Sequence, residues 1–265
     1  MSNNIDELRP IDQVGFNHLP NLQDKPAKNI VIHRANSRGN ADHGWLKTYH
    51  TFSFANYYDP ERMNFGALRV INDDRIAAKQ GFPTHPHDNM EIITIPLTGA
   101  VEHKDSMGNS GVIRHGEVQV MSAGTGIQHS EYNHLDSEDL TLLQIWVFPN
   151  KEAVTPRYDQ IQLPQSKRNY LQQILSPYPD DAGVWIHQSA WFHLGRIDKG
   201  FKTKHSINLP ATNGVYAFVI EGNVTINGQV LNQRDGMGIW DVSALDIKAD
   251  SNAYLLLMEV PVKLS

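Results

Sequence analysis

Two short stretches hold the residue types that can do chemistry. In "GFPTHPHDNMEIITIPLTGA", residues 81–100, His85 and His87 stand two apart and Glu91 follows; in "GTGIQHSEYN", His129 and Glu131 again stand two apart. Side chains two apart on a strand leave by the same face, so each pair projects together, and Glu91 shares the parity of His85 and His87 if their strand is unbroken. Three imidazoles beside one carboxylate make a donor set for a divalent transition metal, with positions left over for water, substrate or dioxygen. Either pair alone is also what a half-buried polar strand looks like, since short motifs match by accident. Both pairs in one β framework favour a site.

The elements around them read as strands. "TYHTFSF", "GALRVIN", "EIITIPL", "EVQVMSA" and "LTLLQIWVF" are rich in β-branched and aromatic residues, with Gly, Asn, Asp or Pro in the gaps. This predicts an all-β fold with few short helices. Residues 1–29 are polar, interrupted by Pro10, Pro20 and Pro26, and read as an arm outside any core. Residues 30–150 form a first strand-rich block. The stretch 151–180 is rich in proline and polar residues and reads as a linker with one helix candidate at "SKRNYLQQIL". Residues 181–265 form a second block, where Asn227-Gly228 between alternating flanks signals a two-residue hairpin turn. The blocks echo one another: Gly99 and Gly116 in the first correspond to Gly222 and Gly236 in the second, which suggests a duplicated β-barrel.

Composition excludes several classes. The chain of 265 residues has a formal charge of -6 and no dense run of Lys and Arg, so the electrostatic footprint of a nucleic-acid binder is missing. It contains no cysteine, which removes disulfides, thiolate nucleophiles and sulfur-ligated metal sites, and leaves any metal to His and carboxylates. The start "MSNNIDELRP" has no apolar core of signal-peptide length, and "YLLLMEV" is too short to span a bilayer. A cytoplasmic protein with no membrane or nucleic-acid partner is the expectation.

"GFPTHPHDNME", Gly99 and "HGEVQVMSAGTGIQHSEYN" resemble the paired cupin motifs, and in particular those of the pirin family of two-domain cupins; "HGWLKTYHTFSFANYYDPERMNFGALRVINDD" and "VEHKDSMGNSG" are similar to bacterial pirins too. The likeness runs from about Ile30 to the end of the chain. It implies two tandem jelly-roll cupin barrels. One divalent metal would sit in the N-terminal barrel, iron(II) first, with manganese, nickel, copper, cobalt or zinc as alternatives. Carried over residue by residue, the ligands fall on His85, His87, His129 and Glu131, with Glu131 also the catalytic base. Most cupins instead take their carboxylate from the first motif, which would nominate Glu91; Glu91 is therefore expected to orient a ligand, and Phe82 to line the cavity.

The implied activity is quercetin 2,3-dioxygenase-like: cleavage of a flavonol by dioxygen with release of carbon monoxide. The alternative is a non-enzymatic regulatory role, docking on a transcription factor or metabolic enzyme, and a third option is another small-molecule cupin enzyme such as an isomerase. A monomer is expected from family likeness. After His205 there is no histidine at all, so the second barrel is expected to hold no metal. Of the other histidines, His103 and His115 are expected at exposed turns, His134 in a solvated loop, and His33, His43 and His50 near the barrel mouth without assigned chemistry.

Overall fold

The computed structural model describes residues 29–263; residues 1–28 of the expected polar arm lie outside them. The described chain forms 22 strands, and the only helical segment among the described residues is a 3₁₀ turn at Ala35–Ser37. The all-β reading is correct. The helix expected at "SKRNYLQQIL" does not form. Its second half is the strand Gln172–Ser176, antiparallel to Trp191–Ile197. Ile174 and Leu175 are both fully buried there, and that packing overrides the modest helix propensity of the segment.

Four sheets stack as two sandwiches placed back to back. The first sandwich faces a seven-stranded sheet toward a four-stranded one. The seven-stranded sheet runs, in spatial order, Arg157–Gln162, Glu117–Ser122, Glu91–Thr98, Leu140–Val147, Leu68–Ile76, Leu46–His50, Gly39–Asp42; the four-stranded one runs Gly81–His87, Ile127–Asn133, Ala100–Asp105, Ser110–Arg114. The second sandwich repeats this, again seven strands against four. The sheets face one another without closing into complete barrels, a cupin-type jelly roll in each half.

Alternation along each strand assigns the two faces. Ile93, Val120 and Ile145 meet Phe192, Tyr216, Phe218 and Leu256 in a large core between the two seven-stranded sheets. On the opposite face, Leu142, Gln144 and Trp146 point into the first sandwich. Leu142 belongs to a cluster with Leu46, Ile76, Val101 and Ile113, while Trp146 packs on a separate cluster of Met90, Ile92, Met121 and Ile127. The polar Gln144 therefore lies between two apolar clusters. By contrast the second sandwich has one continuous apolar interior, from Ile197 to Leu257.

The chain crosses between the halves more than once. Ile30–His33, at the start of the first block, pairs with Gly236–Ile239 of the second sandwich. Arg157–Gln162 pairs with Glu117–Ser122 in the first sandwich, so the proline-rich stretch is only partly a connection. The Asn227-Gly228 hairpin is present, with φ of 46° and 79° at its two central residues. Gly99 and Gly222 both turn with φ of 77°. The second half of the echo is looser: Gly116 turns with φ of 89°, whereas Gly236 lies within a strand beneath Tyr216, and Arg234 takes the left-handed position nearby, with φ of 66°.

Candidate metal centre

The two histidine stretches become neighbours because each adjoins a corner where the chain changes sheet. Glu117–Ser122 runs in the seven-stranded sheet; Gly124 and Gly126 turn the chain with φ of 49° and 126°, and Ile127–Asn133 continues in the four-stranded sheet. Gly81–His87 makes the reverse change into Glu91–Thr98 through Asn89, which has φ of 41°. The corners are tied together, since the Asn89 N–H donates to the Gly124 carbonyl at 2.9 Å.

The two strands then pair antiparallel with His85 opposite His129. A bulge follows, in which Pro83 and Thr84 together oppose Ser130, so that Phe82 faces Glu131. Bulges re-aim side chains, and proline at such a point loses no ladder hydrogen bond. The bulge also brings the Pro83 carbonyl to 2.8 Å from His85 Nδ1. That nitrogen carries the proton and donates, which leaves Nε2 of His85 as a lone pair.

One donor atom from each of His85, His87 and His129 lies within 4.8 Å of the others, and the same holds for His103, His129 and Glu131. Nε2 of His87 and Nε2 of His129 approach to 3.1 Å. Burial, with the neighbouring imidazoles second, pulls both rings down to a pKa of about 2, so both are neutral and each keeps a lone pair for a cation. Glu131 reaches across the sandwich to the seven-stranded sheet. There one oxygen accepts from Thr94 Oγ1 at 3.2 Å and the other from Gln144 Nε2 at 2.7 Å. Neutral imidazoles with oriented rings, beside a carboxylate held at both oxygens, are the donor chemistry of a divalent metal.

Glu91 is not brought to this group. The strand is broken at 88–90, so parity restarts, and Glu91 shares the face of Ile93 toward the second sandwich. Its carboxylate accepts from Ser122 Oγ at 2.7 Å, and burial raises its pKa to about 7 against the pull of Ser122 and Arg157. Its expected role beside a ligand is corrected accordingly. Phe82 is partly buried against Trp45, and its ring lies 6.4 Å from that of His85.

His103 is the main surprise. Expected at an exposed turn, it is fully buried: it stands directly opposite Glu131 in the strand pair, with its ring 5.3 Å from His129. The odd parity it shares with His129 and Glu131 was the signal. The turn lies beyond it, at 105–109, and not before it. His115 is exposed and His134 half-exposed, as expected. His33 and His50 are buried; His33 bonds the Tyr216 hydroxyl at 2.8 Å, and His50 meets Asn72 Oδ1 at 2.8 Å. Thr94, Gln144 and Trp146 were missed. Their signal was present as polar or amphipathic residues inside otherwise aliphatic strands.

Comparison with known proteins agrees with this geometry. The pirin family model matches residues 31–147, and a model described as the quercetinase C-terminal cupin domain matches residues 173–260. A quercetin 2,3-dioxygenase of Escherichia coli is 49% identical over 232 residues, which is 88% of this chain and 99% of that protein. A pirin-like protein of Caulobacter vibrioides is 44% identical over 222 residues, covering 83% of this chain and 95% of that one. Among solved structures, a bacterial pirin from Escherichia coli in complex with nickel(II) superposes with a TM-score of 0.82 at 49% identity, covering 88% of this chain and 99% of that one. Likeness at this level along nearly the full length of each relative places the chain in the pirin family.

Proposed function

We propose that this pirin is a metal-dependent dioxygenase that opens flavonols such as quercetin with O2 and releases carbon monoxide. The observation that carries the reading is the convergence of His85 and His87 on His129, which Glu131 also approaches, in the interior of the first sandwich. Support also comes from the activity named for the relative from Escherichia coli. His85, His87, His129 and Glu131 are the residues that would hold one divalent cation, iron(II) first, and a cation there would supply Lewis acidity that eases loss of the flavonol 3-hydroxyl proton.

The chain's own groups do the rest. Glu131 accepts that proton, with Thr94 and Gln144 holding its carboxylate so that a free oxygen lone pair faces the imidazoles. The electron-rich flavonolate then takes up O2 across C2 and C4; the O–O, C2–C3 and C3–C4 bonds break, both atoms of O2 stay on C2 and C4 of the cleaved ester, C3 leaves with its own oxygen as carbon monoxide, and the proton held on Glu131 returns to the product. Trp146, edge-on to His87 at 4.9 Å, and Phe82, edge-on to His85 at 6.4 Å, set aromatic rings beside the imidazoles, the kind of surface a planar substrate packs against.

The test is elemental analysis of protein purified without chelators, followed by an aerobic quercetin assay on the same sample. One metal per chain and turnover with carbon monoxide release are expected. Absence of turnover with iron(II), manganese(II), nickel(II) and copper(II) alike overturns the reading in favour of a docking role.

A further inference from the structure

The ring of His129 presents a problem that its neighbours answer. Its Nε2 faces Nε2 of His87, where the donors converge, so its proton belongs on Nδ1. That Nδ1 is buried and has no hydrogen-bond partner. Metal-binding histidines nearly always donate their other ring N–H to an acceptor, because the bond fixes the tautomer and the ring angle. An unmet buried donor is costly.

His103 holds the complementary defect. Its Nε2 lies 3.4 Å from Asp105 Oδ2, so its proton belongs on Nε2 and its Nδ1 is an acceptor. That Nδ1 is likewise buried and without a partner. The two rings are 5.3 Å apart between centroids and inclined at 53°. One donor atom of each ring lies within 4.8 Å of one on the other, and turning the two Nδ1 atoms toward one another would close the gap toward an ordinary hydrogen-bond length of about 3 Å. Behind His103 the structure is fixed. Tyr158 lies against its ring at 4.8 Å, and Asp105 also accepts from the backbone N–H groups of Met107 and Asn109 and from Asn109 Nδ2. The turn "DSMGN" thus anchors the carboxylate on which the row depends.

We propose that His103 is a positioning residue of the metal centre. In this arrangement Asp105 holds the His103 tautomer, His103 Nδ1 accepts from His129 Nδ1–H, and the Nε2 lone pair of His129 is thereby aimed at the cation. The inference rests on the metal-centre reading above, but it concerns binding and not turnover.

The test is the nickel(II) dissociation constant of the full chain, measured by competition with a chromophoric chelator for wild type, His103→Phe, His103→Gln, Asp105→Asn and the exposed control His115→Phe. His103→Phe keeps the volume and removes the acceptor, and should weaken nickel binding about 10–100-fold. His103→Gln restores an acceptor oxygen and should recover part of the loss, while His115→Phe should match wild type. In the cobalt(II)-loaded protein, the exchangeable ring N–H resonance of His129 should shift in Asp105→Asn. If His103→Phe fails to fold, Asp105→Asn still decides the matter, because the ring stays in place. Nickel affinity within twofold of wild type in both variants, with an unmoved His129 resonance, overturns the proposal. A wild type that binds nickel but leaves quercetin intact sinks the dioxygenase reading and leaves this one standing; a wild type that binds no nickel sinks both.

Discussion

At the scale of single residues, two glutamates separate cleanly by what they touch. Glu131 faces the imidazoles and is held by Thr94 and Gln144, whereas Glu91 faces Ser122 and the core between the sandwiches. Glu131→Gln keeps the shape and removes the proposed base, so turnover of quercetin should fall about 10²–10⁴-fold even with metal in excess. Glu91→Gln should leave metal content and turnover close to wild type. Its effect belongs to stability: burial raises the folded carboxyl to about 7, against an ordinary value of 4.5. The folded state therefore holds a proton that the unfolded state has released, and this group costs stability as pH rises through that window. Urea melts of Glu91→Gln should show it gaining on wild type at pH 8 relative to pH 5; equal gaps at both would contradict the burial argument.

At the scale of elements, the site depends on corners as much as on strands. Gly124 turns the chain with φ of 49° just before the His129 strand, and a Cβ there would meet the Val154 carbonyl oxygen at 2.0 Å. Gly124→Ala should cost about 1–3 kcal/mol from the backbone conformation alone. It should also loosen the register of Ile127–Asn133 and weaken metal binding, although no ligand is changed. Chemical denaturation and nickel titration of the same variant read both effects, and unaltered nickel affinity would show that the corner does not set the site. The corners also mark where sequence reasoning reached its limit. The Asn227-Gly228 turn was legible because its conformation is written in two adjacent residues. The break at 88–90 was not, because Asn89 takes its left-handed conformation in a loop tied to Gly124 and, through the Asn89 side chain, to Ala153.

Across the whole molecule, the two sandwiches share their largest core, and their edges interlock through Ile30–His33 and through the Ala67 N–H bond to the Pro261 carbonyl at 2.9 Å. Phe218→Ala in that core should cost about 3–5 kcal/mol. The loss should appear in one cooperative transition and not in the second half alone; calorimetry showing two separate transitions would count against a shared core. Acid sensitivity is also a property of the whole chain. Burial first, then Arg62 for His33 and the His205 ring for His193, lowers these two to about 4, and burial with neighbouring imidazoles lowers His87 and His129 to about 2. Unfolded, these rings take up protons below about 6.5, which the folded state refuses, so stability falls as pH drops through that value. Asp74 and Glu91, both raised to about 7 chiefly by burial, work in the opposite direction, but the four histidines outnumber them. The melting temperature of metal-free protein should therefore drop between pH 7 and pH 5, as scanning calorimetry in chelator would show.

The sequence by itself determined the all-β class, the two-block organisation and the spacing that singled out His85, His87 and His129 with two candidate carboxylates, Glu91 and Glu131, of which the resemblance to pirins favoured Glu131. These follow from period-two patterning and short motifs, which are local and survive without knowledge of the neighbours. Only the tertiary structure decided which glutamate faces the imidazoles, because the strand break between His87 and Glu91 resets the parity that a linear reading carries through. It alone moved His103 from an expected turn to the interior, since a histidine in a strand is exposed or buried according to the sheet laid over it. It turned "SKRNYLQQIL" from a helix into a strand because Ile174 and Leu175 had a core to enter. Register, face and sheet assignment are long-range facts: they are set by residues dozens of positions away, and a window of neighbouring residues does not contain them.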